Sequence, residues 1–113
     1  MLDSMADIVI RGGLIVDGTK ATPYVGDVAI TGGKISAVGK ELAIRGVQEI
    51  DANRKVVAPA WVDCHTHLDA QIMWDPWMAP ATTNGIGTVV FGNCGCGFAP
   101  CVKEDRNFLI ELM

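Results

Sequence analysis

The chain reads as mixed β and α/β: a small all-β unit, then the start of a parallel strand–helix–strand arrangement. Three observations predict this. Residues 7–58 hold short β-rich runs closed by glycines, the punctuation of hairpins. Near Pro59 the pattern changes, and Ala60-Trp61-Val62-Asp63 does not alternate cleanly, as expected of a strand covered on both faces. A second run of that kind, Thr88-Val89-Val90-Phe91, follows about one βα unit later, and two strands joined by a helical connection lie parallel.

The elements follow in order. Asp7 to Arg11 ends in Gly12-Gly13, Leu14-Ile15-Val16 in Asp17-Gly18, Asp27 to Ile30 in Gly32-Gly33, and Lys34 to Val38 in Gly39. Each pair of glycines is read as a turn between strands, and the alternation of the third and fourth runs suits a sheet with one wet face. Gln48-Glu49-Ile50 and Lys55 to Ala58 complete the β unit. After the first parallel strand come an irregular stretch, Trp74-Asp75-Pro76-Trp77, and a helix expected around Met78 to Gly85. The second strand is read over Thr88 to Asn93. From Lys103 onward Phe108, Leu109 and Leu112 fall at helical spacing, with Asp105 in the first turn.

Composition narrows the function classes. The chain has 113 residues, 50% of them hydrophobic and 19% charged, which suits one small packed domain and excludes a disordered tail. The net charge is −4 with no run of Lys or Arg, so neither a nucleic-acid footprint nor a polybasic membrane patch is expected. Met1 to Asp7 carries two acids and no basic region before an apolar stretch, unlike a signal peptide. No apolar run approaches the roughly 18 residues that cross a bilayer. A soluble, cytoplasmic chain is expected. Cys94, Cys96 and Cys101 crowd into one loop and Cys64 adjoins His65; in a reducing compartment this favours metal or reactivity over disulfides.

The chemistry centres on His65-Thr66-His67 at the end of the first parallel strand. Residues two apart on a strand project the same way, so both imidazoles can reach one cation. Alternatively, the two rings only hydrogen-bond their neighbours. The apolar run that precedes them favours metal, because a strand buried on both faces has little use for two polar rings unless something binds them. Cys94, flanked by Gly92, Gly95 and Gly97, is read as a thiolate ligand at the end of the adjacent strand; alone it would pass for a small buried residue in a turn. Cys64 points away from the histidine face and is assigned to packing. Cys96 and Cys101 offer a weaker zinc-knuckle reading, with spacings that miss the usual Cys-x-x-Cys pairs. Asp63 and Asp69 either orient an imidazole or touch a metal, or simply face water. Trp74 and Trp77 either wall a pocket or pack.

Together these motifs resemble a known family. Asp7 to Gly13 with Val16-Asp17-Gly18, the lead-in Val57-Ala58-Pro59 and His65-Thr66-His67 are similar to the metal-dependent amidohydrolase superfamily. Asp69-Ala70-Gln71, Trp74-Asp75-Pro76, Gly92-Asn93-Cys94-Gly95 and Phe98-Ala99-Pro100 resemble one branch, the N-acyl-D-amino-acid deacylases or D-aminoacylases. The resemblance covers nearly the whole chain and only the amino-terminal part of such an enzyme.

What the resemblance implies is a composite β-sandwich packed on a (β/α)8 barrel with zinc at its top. Residues 1–58 would be the amino-terminal part of the sandwich. Residues 59–113 would begin the barrel with its first βαβ unit. His65, His67 and Cys94 match the family's metal ligands, and no catalytic residue falls in this segment. Pro59-Ala60-Trp61 stands where the family has Pro-Gly-Phe, and Asn84-Gly85-Ile86-Gly87 where it has His-Gly-Val-Thr. A barrel of this kind takes about 250 residues, so this chain alone is expected to be inactive, its partners being the N-acyl-D-amino acid substrate and either the rest of the enzyme or further copies of itself. Two alternatives stand beside this: a self-associating small metal-binding protein without catalysis, and a segment of a hydantoinase- or dihydroorotase-type enzyme, which Gly92-Asn93-Cys94-Gly95 does not fit.

Overall fold

The computed structural model describes residues 5–95 and 100–111. The chain divides into two compact units, Met1–Pro59 and Ala60–Met113.

The first unit is a mixed sheet of β1 (Ala6–Ile15), β2 (Tyr24–Thr31), β3 (Lys34–Gly39), β4 (Gly46–Asp51) and the short β5 (Val56–Val57). The strand order is β3-β2-β1-β4, with β5 also on β1. β1, β2 and β3 form successive antiparallel hairpins. Gly32 and Gly33 make the tight β2–β3 turn with φ of 59° and 71°, the left-handed pair that a two-residue hairpin loop requires. Along the other edge of β1, β4 pairs in parallel with Ala6 to Arg11 and β5 with Leu14 and Ile15.

One expectation is corrected here. Gly12-Gly13 does not end a strand; β1 runs through it, with a register shift between Ile10 and Gly13. Gly12 takes a φ of 66°, as a glycine can in a bulge. Gly13 is needed for closeness, since a Cβ there would run into the Val57 side chain and stand 3.1 Å from the Ala52 Cβ.

The core lies on one face of this sheet. Ala6, Val9 and Ala29 are buried there, and Leu42 and Ile44 from the segment after β3 pack onto them with Ala37. Polar chemistry fastens that covering segment. The Arg11 guanidinium donates to the Leu42 carbonyl at 2.8 Å and the Ile44 carbonyl at 2.6 Å, while Asp27 accepts the Leu42 N–H at 3.0 Å. The other face is apolar and only partly covered, with Ile15 and Val28 buried on it. Ile10, Ile15, Val28, Ile30, Ile35 and Val57 line a cleft of about 330 Å3 on it, and Ile35 is 68% exposed.

The second unit holds β6 (Trp61–Thr66) and β7 (Ile86–Phe91), paired in parallel. Their connection contains two 3₁₀ turns, Gln71–Met73 and Thr82–Asn84, in place of the helix expected around Met78 to Gly85. The reason is local. Pro76 and Pro80 lack the N–H that a helix interior needs, and the Asp75 carboxylate takes the N–H groups of Trp77 and Ala79 at 3.0 and 2.8 Å, diverting them from a helical ladder.

The expected carboxy-terminal helix is present as a 3₁₀ turn, Lys103–Asp105, leading into α1 (Arg106–Glu111); Leu112 lies outside the described residues. Among the described residues, β6 and β7 are not covered on both faces as expected. Trp61 is 69% exposed and Val62 63%, with Val90 and Phe91 at 44% each, because no further layer among the described residues packs on the pair. No helix among the described residues is long and apolar enough to cross a membrane.

Candidate metal centre

The site is built where β6 and β7 end side by side. The ladder pairs Asp63 with Val89 and Thr66 with Phe91, so three steps on β6 oppose two on β7 and the register shift falls at Cys64 and His65. Such a bulge re-aims side chains and leaves backbone polar groups to be satisfied elsewhere. Two side chains meet that need. Asp63 accepts the His65 N–H at 3.1 Å, and the Asn93 amide donates to the Cys64 carbonyl at 2.9 Å. Thr66, between the histidines, is buried and donates its hydroxyl to the Val90 carbonyl at 3.0 Å.

The two imidazoles share one side, with ring centroids 5.9 Å apart. They line an open cleft of about 420 Å3 together with Asp63, Thr66, Leu68, Pro80, Ala81, Asn84 and Ile86. Beyond β7 the chain makes a four-residue turn closed by the Gly95 N–H on the Gly92 carbonyl at 3.1 Å, with left-handed glycines at both ends (φ 79° and 81°). Cys94 rides on this turn, and its Sγ lies 3.1 Å from His67 Nε2.

His65, His67 and Cys94 each offer a ligand atom, and these atoms all lie within 4.8 Å of one another. All three side chains are exposed. Two imidazole nitrogens and a thiol sulfur are the donor set of zinc, and three protein ligands with room for a fourth is the pattern of its catalytic sites.

The other sequence candidates are placed differently. Cys64 is exposed and not packed as expected, because nothing among the described residues covers its side of β6. Cys101 is half-buried and outside the cluster, and Cys96 lies outside the described residues, as do Phe98 and Ala99. Asp63 lines the cleft. Asp69 is half-buried in the turn after β6. Trp74 and Trp77 are 67% and 77% exposed and line neither the cleft nor a core.

Two further contributors, Asn93 and the Asp75–Gln71 pair, stand in the sequence only as parts of the motifs that carry the resemblance, with no role assigned to them. Gln71 Nε2 donates to Asp75 at 2.9 Å and to the Ala79 carbonyl. That hydrogen bond, before those from the Trp77, Ala79 and Met78 N–H groups, holds the Asp75 carboxyl below the usual carboxylate range. The pair thereby shapes the segment that delivers Pro80 and Ala81 to the cleft. Its signal in the sequence is an Asp-Pro with a glutamine four residues earlier, inside two of the stretches that carry the resemblance.

No family model matches the chain. Among curated proteins, the N-acyl-D-aspartate deacylase of Alcaligenes xylosoxydans xylosoxydans is 41% identical over 110 residues, 97% of this chain. The chain belongs to the N-acyl-D-amino-acid deacylase branch of the amidohydrolases. It spans about a fifth of the length of these relatives, 22% of the aspartate deacylase. Two solved deacylase structures agree. An N-acyl-D-glutamate deacylase from Bordetella bronchiseptica, complexed with zinc and a phosphonate inhibitor that mimics the reaction's tetrahedral intermediate, matches 86% of this chain and 20% of its own at 39% identity and a TM-score of 0.79. A D-aminoacylase studied for its binuclear metal centre matches 85% of this chain and 20% of its own at 40% identity, again with a TM-score of 0.79.

Proposed function

We propose that the chain is the amino-terminal part of a zinc-dependent, cytoplasmic deacylase that hydrolyses the amide of N-acyl-D-amino acids to a carboxylate and a free D-amino acid. The observation that carries this is the convergence of His65, His67 and Cys94 to within 4.8 Å in a sequence 41% identical to a deacylase of that kind. His65 and His67 would hold the ion through ring nitrogens, and Cys94 as a thiolate adds the negative charge that offsets part of its own. A zinc ion in such a site polarises a carbonyl and acidifies bound water. Asp63 keeps the His65 backbone in place, and the cleft beside the two rings gives an acyl amide room to approach.

In this reading residues 1–58 are part of a composite β-sandwich and residues 59–113 open a (β/α)8 barrel. The apolar cleft on the first sheet and the bare faces of β6 and β7 support it, since they are surfaces that the remaining four-fifths of a deacylase would cover. The general base that takes a proton from water, and passes it to the leaving amine, lies in that remainder.

The test is zinc content of the purified chain by mass spectrometry, beside Cys94→Ala and His65→Ala/His67→Ala variants. Bound metal that falls in both variants is the expected result. Metal retained in both would end the ligand assignment. The chain alone should release no free amino acid from N-acyl-D-amino acids with zinc; turnover well above a blank would overturn its standing as a part of the enzyme.

A further inference from the structure

We infer that Asn93 is a positioning residue that sets the Cys94 thiol beside His67. The inference rests on the ligand reading above only for its consequence in metal binding, not for the geometry itself.

The ends of β6 and β7 would not hold Cys94 in place through the sheet alone. The ladder pairing ends at Thr66 and Phe91, two residues before Asn93 and three before Cys94. From Gly92 the chain is a turn between two left-handed glycines at which an added Cβ would meet nothing within 4 Å, so the described residues do not confine the turn at its two ends. Cys94 and Asn93 occupy the two central positions of this turn, whose own hydrogen bond joins only Gly95 to Gly92. That bond shapes the turn but does not fix its direction.

The Asn93 amide supplies what is missing. Its hydrogen bond crosses 29 residues of sequence to the Cys64 carbonyl at 2.9 Å, ending on the backbone between Asp63 and His65. Cys64 falls in the register shift of β6, and a bulge carbonyl needs such a partner. One contact therefore satisfies the bulge that aims His65 and anchors the turn that carries Cys94. Only a donor serves, because the acceptor is a carbonyl; an aspartate of the same shape offers a carboxylate to it and repels it.

The experiment uses the full 113-residue chain, metal-free, as wild type, Asn93→Ala and Asn93→Asp, with circular dichroism to check that each retains its sheet. Asn93→Asp keeps the side-chain shape and guards against a packing effect of the alanine. The readout is the nuclear Overhauser contact between the Cys94 Hβ protons and the His67 ring. It should be present in the wild type and lost in both variants. Its persistence in Asn93→Asp, or its absence from the wild type, would overturn the inference.

A second arm adds cobalt(II) and follows thiolate-to-cobalt charge-transfer absorption, with Cys94→Ala as reference. The variants should bind cobalt about tenfold more weakly than the wild type, in the range seen when groups behind a metal ligand are removed. If the Overhauser contact behaves as expected but Cys94→Ala shows the wild type's absorption and affinity, the ligand assignment fails while the role of Asn93 in placing the thiol stands.

Discussion

At the level of single residues, the Asp27 carboxylate ties three segments of the first unit together. It takes the Arg11 guanidinium at 3.0 Å, the Gly12 N–H at 2.9 Å and the Leu42 N–H at 3.0 Å. Burial alone would raise its pKa, but the hydrogen bonds from Gly12, Arg11 and Leu42 outweigh burial and hold it below the usual carboxylate range. A carboxyl whose pKa is depressed on folding stabilises the fold fully above its ordinary value of about 3.9, and that contribution is lost as pH falls through the lower, folded value. Urea midpoints measured at pH 6 and pH 3 should therefore drop more for the wild type than for Asp27→Asn. Glu49, held low by its hydrogen bond from Arg11, leaves part of the acid loss in the variant. Equal drops in the two proteins would show that Asp27 contributes nothing. Asp27→Ala, which strands buried donors, should cost about 2–3 kcal/mol at neutral pH. None of this was legible beforehand, since Arg11 and Asp27 meet across 16 residues. His65 and His67 were read as one-sided from the strand period, and their rings do come within 5.9 Å of each other, but through a bulge at His65 and a His67 just past the end of β6 rather than through a regular strand. Cys94 became a candidate only beside them, and Asn93, noted only as part of a motif, gains a role from the Cys64 carbonyl it reaches through space.

For whole elements, glycine pairs are the instructive case. Gly32-Gly33 and Gly12-Gly13 look alike in sequence, yet one makes a two-residue turn and the other a bulge inside a strand of ten residues. The difference lies in what runs alongside. β1 has β4 and β5 on one edge and β2 on the other, so its direction is held through the irregularity, while the turn at Gly32-Gly33 has no such splint. Gly13→Ala should therefore destabilise the first unit by about 1–3 kcal/mol, the usual cost of overpacking, and speed amide hydrogen exchange in β1 and β5. Exchange unchanged in both strands would remove the steric reading of Gly13. The parallel pair β6–β7 was legible from its two apolar runs. Its connection was not, because the Asp75 carboxylate and two prolines override the local tendency to coil into a helix.

Across the whole molecule, the division at Pro59 separates a five-stranded sheet with a buried core from a strand pair that the described residues leave largely exposed. Large apolar side chains remain in water in both units, Ile35 at 68% and Val62 at 63% among them, a surface that calls for a partner. A dye that fluoresces in apolar clefts should bind this chain strongly and bind poorly to a protein extended with the downstream sequence of a deacylase. Equal binding to both would mean that the remainder does not cover these faces. The β-rich character could be read from the glycine-closed runs, but the openness could not, since a run of valine and isoleucine looks the same whether its neighbour is present or absent.

The position of β1 carries a further consequence, for synthesis. It leaves the ribosome before every strand it pairs with, yet it is central in its sheet, and its partners extend to Val57. One edge can close as a local hairpin when Thr31 has emerged, but the other waits for β4 and β5, so the nascent chain passes through a stage in which β1 is paired on one side only. Non-local parallel pairing of this kind is slow to form. The growing polypeptide thus presents an open edge early, at the stage when chaperone capture or mispairing with a neighbouring nascent chain competes with folding.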